Sequence, residues 1–193
     1  LTDISEGMLA EARSDLEGDS RFTLLCMDAS ELEFEDESFD FVTANHMLYH
    51  VPDIAQTLAE VARVLKPGGG MMAATNGANY MLDLDMLLTE FWPVYGGLHT
   101  MSLKFNLQNA AEQLQPWFGQ VEKRLYTGDL WVTEALPLVD YAFSTQRVQQ
   151  FIPLDQKEPM RKFFQGRIDQ SGGILIRKET GLFLASQPKK AQR

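Results

Sequence analysis

The chain has 193 residues, of which 45% are hydrophobic, so it can bury one substantial core, and its single cysteine, Cys26, excludes an intrachain disulfide. Its formal net charge of −10 argues against nucleic acid as a partner, because affinity for a phosphate backbone comes largely from Lys and Arg. The place of Cys26 in an apolar strand fits a reducing cytoplasm, and no apolar run approaches the ~18 residues needed to span a bilayer, so we expect a cytoplasmic protein with no membrane partner.

A strand, a helix and a second strand are predicted at the N-terminus. Asp3 ends the first strand, and Ser5 can accept a hydrogen bond from the first amides of the following helix. The apolar run from Phe22 to Met27 predicts the second strand, which ends at Asp28. Both strands therefore end at an aspartate.

The third predicted strand follows an acidic segment. Phe39 to Ala44 is an apolar run rich in strand formers, and it stops at the polar pair Asn45 and His46, as is typical of a fully covered parallel strand. We interpret the acidic residues before it as a solvated loop.

A crossover helix comes next. Asp53, with Gln56 three positions later, predicts a capping box at its first turn. Apolar residues recur at helical spacing from Ile54 to Leu65, which gives the helix one stripe to pack against the sheet. Pro67 and the three glycines after it let the chain reverse before a further strand, Met71 to Thr75.

The rest of the chain is less regular. Its patterns predict helices over 80–95, 107–118, 133–151 and 154–169, a strand over 121–126, and a closing hairpin of Ile174–Arg177 with Leu182–Ser186.

Strands that alternate with helices imply a parallel sheet covered on both faces. Ligands of such sheets bind outside the carboxyl ends of the strands, which open on the same edge. Asp3, Asp28 and Asn45 each lie at such an end. We therefore expect these side chains to converge on one crevice.

The chain resembles the class I S-adenosylmethionine-dependent methyltransferases of the small-molecule type in three segments: DISEGMLAEAR, MDASELEFEDESFDFV and LKPGGG. Later segments, FNLQNAAEQL, VTEALPLVDYAFST and IRKETGLFLAS, are similar to a bacterial branch of that superfamily. The resemblance implies an α/β fold with a Rossmann-like, doubly wound and mostly parallel sheet, a C-terminal antiparallel hairpin and helical lid insertions. It also implies S-adenosyl-L-methionine as the cofactor and a small molecule as the methyl acceptor.

One element of the family pattern is absent from this sequence. In these enzymes a first strand, ending in a glycine-rich turn that holds the methionine part of the cofactor, precedes the strand that ends here at Asp3. No G-x-G-x-x-G occurs in the chain, and the glycines after Pro67 follow a helix. We therefore expect an N-terminally truncated piece of a longer protein, with a gap in mid-sheet and an incomplete cofactor site; a domain that has lost its central strand is the alternative.

We expect a single methyltransferase-like domain over residues 1–193. In this scheme residues 1–78 form the cofactor-binding core and residues 79–120 form a lid or substrate segment. Residues 121–193 form the C-terminal strands with a helical insertion.

The resemblance assigns adenosine contacts to the first two strand ends. Asp3 would bind the ribose, since a carboxylate can accept hydrogen bonds from two adjacent hydroxyls. Asp28 would accept from the adenine amino group, and the Ala29 backbone N–H would donate to a ring nitrogen. Two structural alternatives stay open: Asp3 as a helix cap, and Asp28 as an exposed turn aspartate.

Other contacts to the cofactor are implied around these ends. Ile4 and Met8 would pack on the adenine faces, although Met8 equally fits the inner face of its helix. Backbone carbonyls of Asn45 and His46 would meet the methionine amino group.

A loop and a later helix supply the candidates for catalysis and the acceptor pocket. His50 could accept a proton from the nucleophile, with a structural histidine as the alternative. Tyr49, Tyr80, Trp92 and His99 are candidate walls of the acceptor pocket, although aromatic residues at helical spacing also fit a core and His99 fits an exposed loop.

No metal site is predicted, because the histidines and the cysteine lack the spacing of metal ligands. Two other functions stay open. A non-catalytic remnant or interaction module with the same fold is the first. The second is a nicotinamide-dependent reductase, which would need the dinucleotide fingerprint. The sequence does not indicate the oligomeric state.

Overall fold

The computed structural model describes residues 1–96 and 104–190, and the chain divides into two compact units. The first unit comprises Leu1–Thr75, Phe105–Arg124 and Gly181–Arg193. The second comprises Asn76–Lys104 and Leu125–Thr180. The predicted three-part division of a single domain stays a prediction, with boundaries that differ from those of the units.

Helices and strands alternate through the N-terminal half and helices predominate after it. In chain order they are β1 (Thr2–Asp3), α1 (Glu6–Asp15), β2 (Leu25–Cys26), β3 (Phe39–Asn45), α2 (Ile54–Val64), β4 (Leu65–Asn76), α3 (Leu82–Phe91), α4 (Ala110–Leu114), β5 (Phe118–Thr127), β6 (Leu130–Val132), α5 (Ala135–Ser144), α6 (Gln146–Phe151), α7 (Lys157–Ser171), β7 (Ile174–Ile176) and β8 (Glu179–Pro188). Short 3-10 turns cover Pro93–Tyr95 and Leu154–Gln156.

The first unit holds two sheets. Strands β1 and β2 pair in parallel, with Asp3 opposite Cys26. The other sheet has the order β3-β4-β8-β5, and its β3–β4 pair is parallel, with Asn45 opposite Ala74. The sequence analysis predicted a gap in mid-sheet, and β1 and β2 form a sheet separate from that of β3, β4, β8 and β5. The predicted α/β, Rossmann-like fold class is confirmed.

Helix α2 lies on the core of the first unit. Asp53 caps it, because its Oδ1 accepts the Gln56 N–H at 2.9 Å. The predicted apolar stripe is buried, with Leu58 and Val61 in the core beside Met71 of β4. Gln56 does not complete the predicted capping box, since its side-chain amide donates to a carbonyl outside the helix.

The second unit is mainly helical. Its core draws on α3, α5, α6 and α7 and includes Leu88, Val139, Val148, Phe164 and Ile176. The short strands β6 and β7 pair antiparallel beside these helices.

The predicted C-terminal antiparallel hairpin is wrong. Strand β7 pairs with β6, a strand that the sequence analysis missed, and β8 lies between β4 and β5 in the other sheet. The physical reason is burial: Phe183 and Ala185 of β8 lie in the core of the first unit. A hairpin with the three-residue β7 would leave this face of β8 uncovered.

The predicted helix over 133–151 is broken into α5 and α6. Thr145 adopts an extended backbone and its Oγ1 accepts the Val148 N–H at 3.3 Å, so it caps α6. The glycines after Pro67 also behave differently from the prediction, since they belong to β4, where the pairing with β3 changes register.

Candidate active site

Asp3 lies at the carboxyl end of β1 and is half-buried. Its backbone carbonyl accepts the Met27 N–H at 3.1 Å, which ties this end to the chain leaving β2. Its Oδ1 accepts the Ser5 N–H at 2.8 Å, and Ser5 in turn caps α1 as predicted. The carboxylate therefore supports the start of α1 while Oδ2 stays available, within the described residues, for a further donor.

Asp28 follows β2 by two residues and lies in a tight turn. Its Oδ1 accepts the Ser30 N–H at 2.8 Å and the Ser30 hydroxyl at 2.7 Å. These bonds, the backbone one first, hold the pKa of Asp28 below its ordinary value. The carboxyl is thus ionised at neutral pH and held in one orientation, which suits it to accept from an amino group.

The turn also orients the Ala29 N–H, which makes no hydrogen bond within the described residues. Asp3 ends β1 and Asp28 follows its parallel neighbour β2 by two residues, so both aspartates lie at the same edge of this sheet. Ser30 was missed by the sequence analysis, although an aspartate followed two residues later by serine is typical of such a turn.

Two apolar side chains near Asp3, Ile4 and Met8, are the candidates for packing on the faces of the adenine. Ile4 is 71% exposed and Met8 is 56% exposed, so Met8 does not belong to the inner face of α1. Leu9 is the buried residue of that helix. Exposed apolar side chains next to a carboxylate suit contact with an aromatic ring of a ligand.

Asn45 and His46 lie at the carboxyl end of β3, and both are exposed. The His46 N–H donates to the Ala74 carbonyl at 3.0 Å, and its φ of 52° is in the left-handed region. A side chain with this backbone conformation costs of order 1 kcal/mol. The strand therefore ends in a strained turn that is held by β4.

A ring cluster follows this turn. The Tyr49 ring centroid lies 4.5 Å from that of His50 and 6.4 Å from that of His46. Burial raises the pKa of the half-buried Tyr49 phenol, so it stays protonated at neutral pH. His50 is exposed, and its backbone N–H donates to the Met47 carbonyl at 2.9 Å.

Helix α2 connects the two groups of candidates. The Gln56 amide donates to the Ser30 carbonyl at 3.3 Å, next to the Asp28 turn. Further along, Glu60 accepts the Leu32 N–H at 2.9 Å, and Arg63 donates to the Leu32 carbonyl at 2.7 Å. These hydrogen bonds hold the loop that follows Asp28 against α2, the helix that follows His50. Nothing in the sequence distinguished Arg63 from other polar residues of α2.

The other pocket candidates belong to the second unit. Tyr80 and Trp92 are half-buried and pack against the core of that unit. This packing agrees with the structural alternative for aromatic residues at helical spacing. His99 lies outside the described residues, and the predicted lid stays a prediction.

The described residues contain neither a metal-ligating group nor a membrane-spanning helix. Over residues 1–96 and 104–190, no group of three or more His, Cys, Asp or Glu side chains is placed to hold a metal ion. In the same ranges, no helix combines the length and hydrophobicity that a bilayer crossing needs.

The N-terminal part of the chain is similar to known methyltransferases. Residues 1–73, which carry every candidate contact to the cofactor, match the family described as "Methyltransferase domain". The demethylmenaquinone methyltransferase of Bacillus licheniformis is 35% identical over 106 residues, which cover 53% of this chain and 46% of that protein. Phosphoethanolamine N-methyltransferase 2 of Caenorhabditis elegans is 38% identical over 89 residues, or 45% of this chain and 20% of that one.

A solved structure extends the likeness of fold over most of the chain. Phosphoethanolamine N-methyltransferase 2 of Haemonchus contortus, in complex with S-adenosyl-L-methionine, superposes with a TM-score of 0.54 and 21% identity, covering 97% of this chain and 43% of that one. The chain spans at most about half the length of the curated relatives it matches.

The fold is α/β and Rossmann-like, and the parallel pairing of β1 and β2 directs the two aspartates to one edge of their sheet. The match to the methyltransferase family covers residues 1–73 of the 193. These similarities agree with the predicted resemblance to the class I S-adenosylmethionine-dependent methyltransferases.

Proposed function

We propose that this chain binds S-adenosyl-L-methionine at the ends of β1, β2 and β3 and takes part in methyl transfer to a small-molecule acceptor. The observation that carries the proposal is the pair of aspartates at neighbouring strand ends within a matched methyltransferase domain. Each carboxylate keeps an oxygen available in the described structure, and Ala29 keeps an N–H.

These groups fit the adenosine part of the cofactor. The Asp3 carboxylate would accept hydrogen bonds from the ribose hydroxyls, and Asp28 would accept from the adenine amino group. The Ala29 N–H would donate to a ring nitrogen, while Ile4 and Met8 would cover the faces of the base. Asp28 suits this role because its Ser30 contacts fix its orientation before the ligand arrives.

When bound, S-adenosyl-L-methionine supplies a methyl group on a sulfonium, which is already an activated leaving group. The protein then has to hold the nucleophile in line with the methyl group and exclude water. Asn45 and His46 would hold the methionine amino group through their backbone carbonyls. His50 is the candidate base, and Tyr49 is a candidate wall of the acceptor pocket, with its phenol protonated.

Isothermal titration calorimetry of the intact protein tests this proposal. We expect S-adenosyl-L-methionine and S-adenosylhomocysteine to bind and NADH not to bind. Asp3→Ala should weaken cofactor binding by about 1.5–3 kcal/mol, the scale of hydrogen bonds to a charged group, or roughly 10- to 150-fold in Kd.

Asp15→Ala is the matched control, because Asp15 is an exposed aspartate at the end of α1. It should leave the affinity unchanged. Equal affinity of the Asp3 variant and the wild-type chain would remove Asp3 from the site. Binding of NADH together with no heat from the methyl donor would overturn the proposal in favour of a reductase.

A further inference from the structure

Three hydrogen bonds close the turn that follows β2. The Glu31 N–H donates to the Asp28 carbonyl at 3.2 Å, so residues 28–31 form a β-turn with Ala29 and Ser30 at its centre. The Asp28 carboxylate adds the other two bonds, because its Oδ1 accepts the Ser30 N–H at 2.8 Å and the Ser30 hydroxyl at 2.7 Å. The carboxylate is therefore held by a residue of its own turn.

Ser30 is also held from outside the turn. Its carbonyl accepts the Gln56 side-chain amide at 3.3 Å, and the Gln56 backbone N–H is bonded to Asp53 at the start of α2. Ser30 is half-buried, whereas Asp28 is exposed. The serine therefore connects an exposed carboxylate to a helix whose apolar face lies in the core of the same unit.

The turn offers one acceptor and one donor to a ligand. Oδ2 of Asp28 and the N–H of Ala29 make no hydrogen bond within the ranges that the structure describes. The Asp28 carboxyl is ionised at neutral pH, because the bonds from Ser30 hold its pKa below the ordinary value, so Oδ2 can only accept.

The two purines that differ at position 6 present opposite patterns to such a turn. Adenine carries a 6-amino donor next to the N1 acceptor, which matches an acceptor followed by a donor. Hypoxanthine carries a 6-oxo acceptor next to an N1–H donor. Both of its groups would therefore meet a group of the same kind.

We infer that Ser30 is a positioning residue that makes this turn specific for a 6-amino purine over a 6-oxo purine. The inference rests on the proposed function, in which the adenine of the cofactor meets Asp28 and Ala29. A carboxylate that rotates freely could turn toward the N1–H of hypoxanthine and accept from either base. Because Oδ1 is bonded to Ser30 twice, this rotation would break both bonds, and the turn keeps the pattern that rejects hypoxanthine.

Isothermal titration calorimetry of the intact protein with S-adenosylhomocysteine and S-inosylhomocysteine tests this inference. We expect the wild-type protein to bind the adenosyl ligand at least about tenfold more tightly, because both groups of the inosyl ligand are mismatched. Ser30→Ala should weaken the adenosyl ligand about three- to tenfold and leave the inosyl ligand unchanged. Ser30→Thr keeps the hydroxyl and should restore the wild-type preference.

Two further variants separate a role through Asp28 from a general one. Ser38→Ala is the matched control, because the Ser38 hydroxyl donates to the Glu35 carbonyl at 2.8 Å in the same unit, and it should leave both affinities unchanged. In an Asp28→Ala background, Ser30→Ala should have no further effect on the adenosyl ligand, since a positioning residue acts through the group it holds. Thermal unfolding verifies that each variant is folded.

Three outcomes would overturn the inference. The first is an equal loss of affinity for both ligands in Ser30→Ala, which would make Ser30 a general support of the turn. The second is an unchanged preference in that variant, and the third is a loss of the same size in the Asp28→Ala background. A wild-type protein that binds neither ligand would overturn the proposed function and this inference with it, whereas the three outcomes leave cofactor binding by the wild-type protein intact.

Discussion

Replacement of Arg63 tests the link between the two groups of site residues. Its guanidinium donates to the carbonyls of Leu32 and Phe34, each at 2.7 Å. It also donates to the carboxylates of Glu60 and Asp36. Arg63→Met keeps the aliphatic part of the side chain and removes all of these bonds. We expect the loop that follows Asp28 to open more often in this variant.

The free-energy cost of Arg63→Met depends on how exposed each lost contact is. The Arg63 side chain is 31% exposed, so we take each carbonyl bond at about 1 kcal/mol, below the range for fully buried charged groups. The pair with Glu60, whose side chain is 16% exposed, adds about 1 kcal/mol. Asp36 is 66% exposed and adds little. The sum is about 3 kcal/mol, or roughly a hundredfold in the opening equilibrium.

Hydrogen–deuterium exchange of a peptide that contains Leu32 measures this opening, because the Leu32 N–H is bonded to Glu60. Arg21→Met is the control in the same unit, since Arg21 pairs with the nearby Asp19 at the surface and lies over the adjacent Phe22 ring. We expect protection to fall in the Arg63 variant and to stay at the wild-type level in the Arg21 variant. Equal protection in both variants would refute the reasoning.

Two further predictions concern the same unit. The Arg63 guanidinium holds the pKa of Glu60 below its ordinary value of 4.5, so the stability that this carboxylate contributes is complete above pH 4.5 and declines as the pH falls through the lowered pKa. In urea unfolding, Glu60→Gln should therefore be less stable than the wild-type chain at neutral pH, and this difference should disappear at acidic pH. A difference that stays constant with pH would contradict this. Gly69→Ala should cost about 1–3 kcal/mol by the same assay, because its Cβ would lie 2.9 Å from the Asp40 carbonyl oxygen. Gly68→Ala, which meets nothing within 4 Å, is its control and should be nearly neutral, so equal costs would exclude the steric explanation.

The strand ends and helix caps were predictable because they depend on local patterns. Ser5 and Asp53 each cap a helix through a hydrogen bond to an amide three residues on, which short sequence segments specify. Asp28 follows the apolar run from Phe22 to Met27, and parallel pairing of β1 and β2 brings it to the same edge as Asp3. The roles of these aspartates in binding stay predictions.

Features that depend on distant partners were not predictable. The runs that form β7 and β8 have the spacing of a hairpin, but burial of Phe183 decides where β8 pairs. Arg63 looks like any exposed residue of an amphipathic helix, and only the folded loop brings its acceptors together. Ser30 likewise is held by Gln56, which lies far from it in sequence.

The place of β8 between β4 and β5 has a consequence for biosynthesis. Because translation proceeds from the N-terminus, β4 and β5 leave the ribosome before the strand that separates them. Their unpaired edges are exposed during this interval and invite pairing with other nascent chains. We therefore expect co-translational chaperones to protect this sheet until Gly181 to Pro188 have emerged.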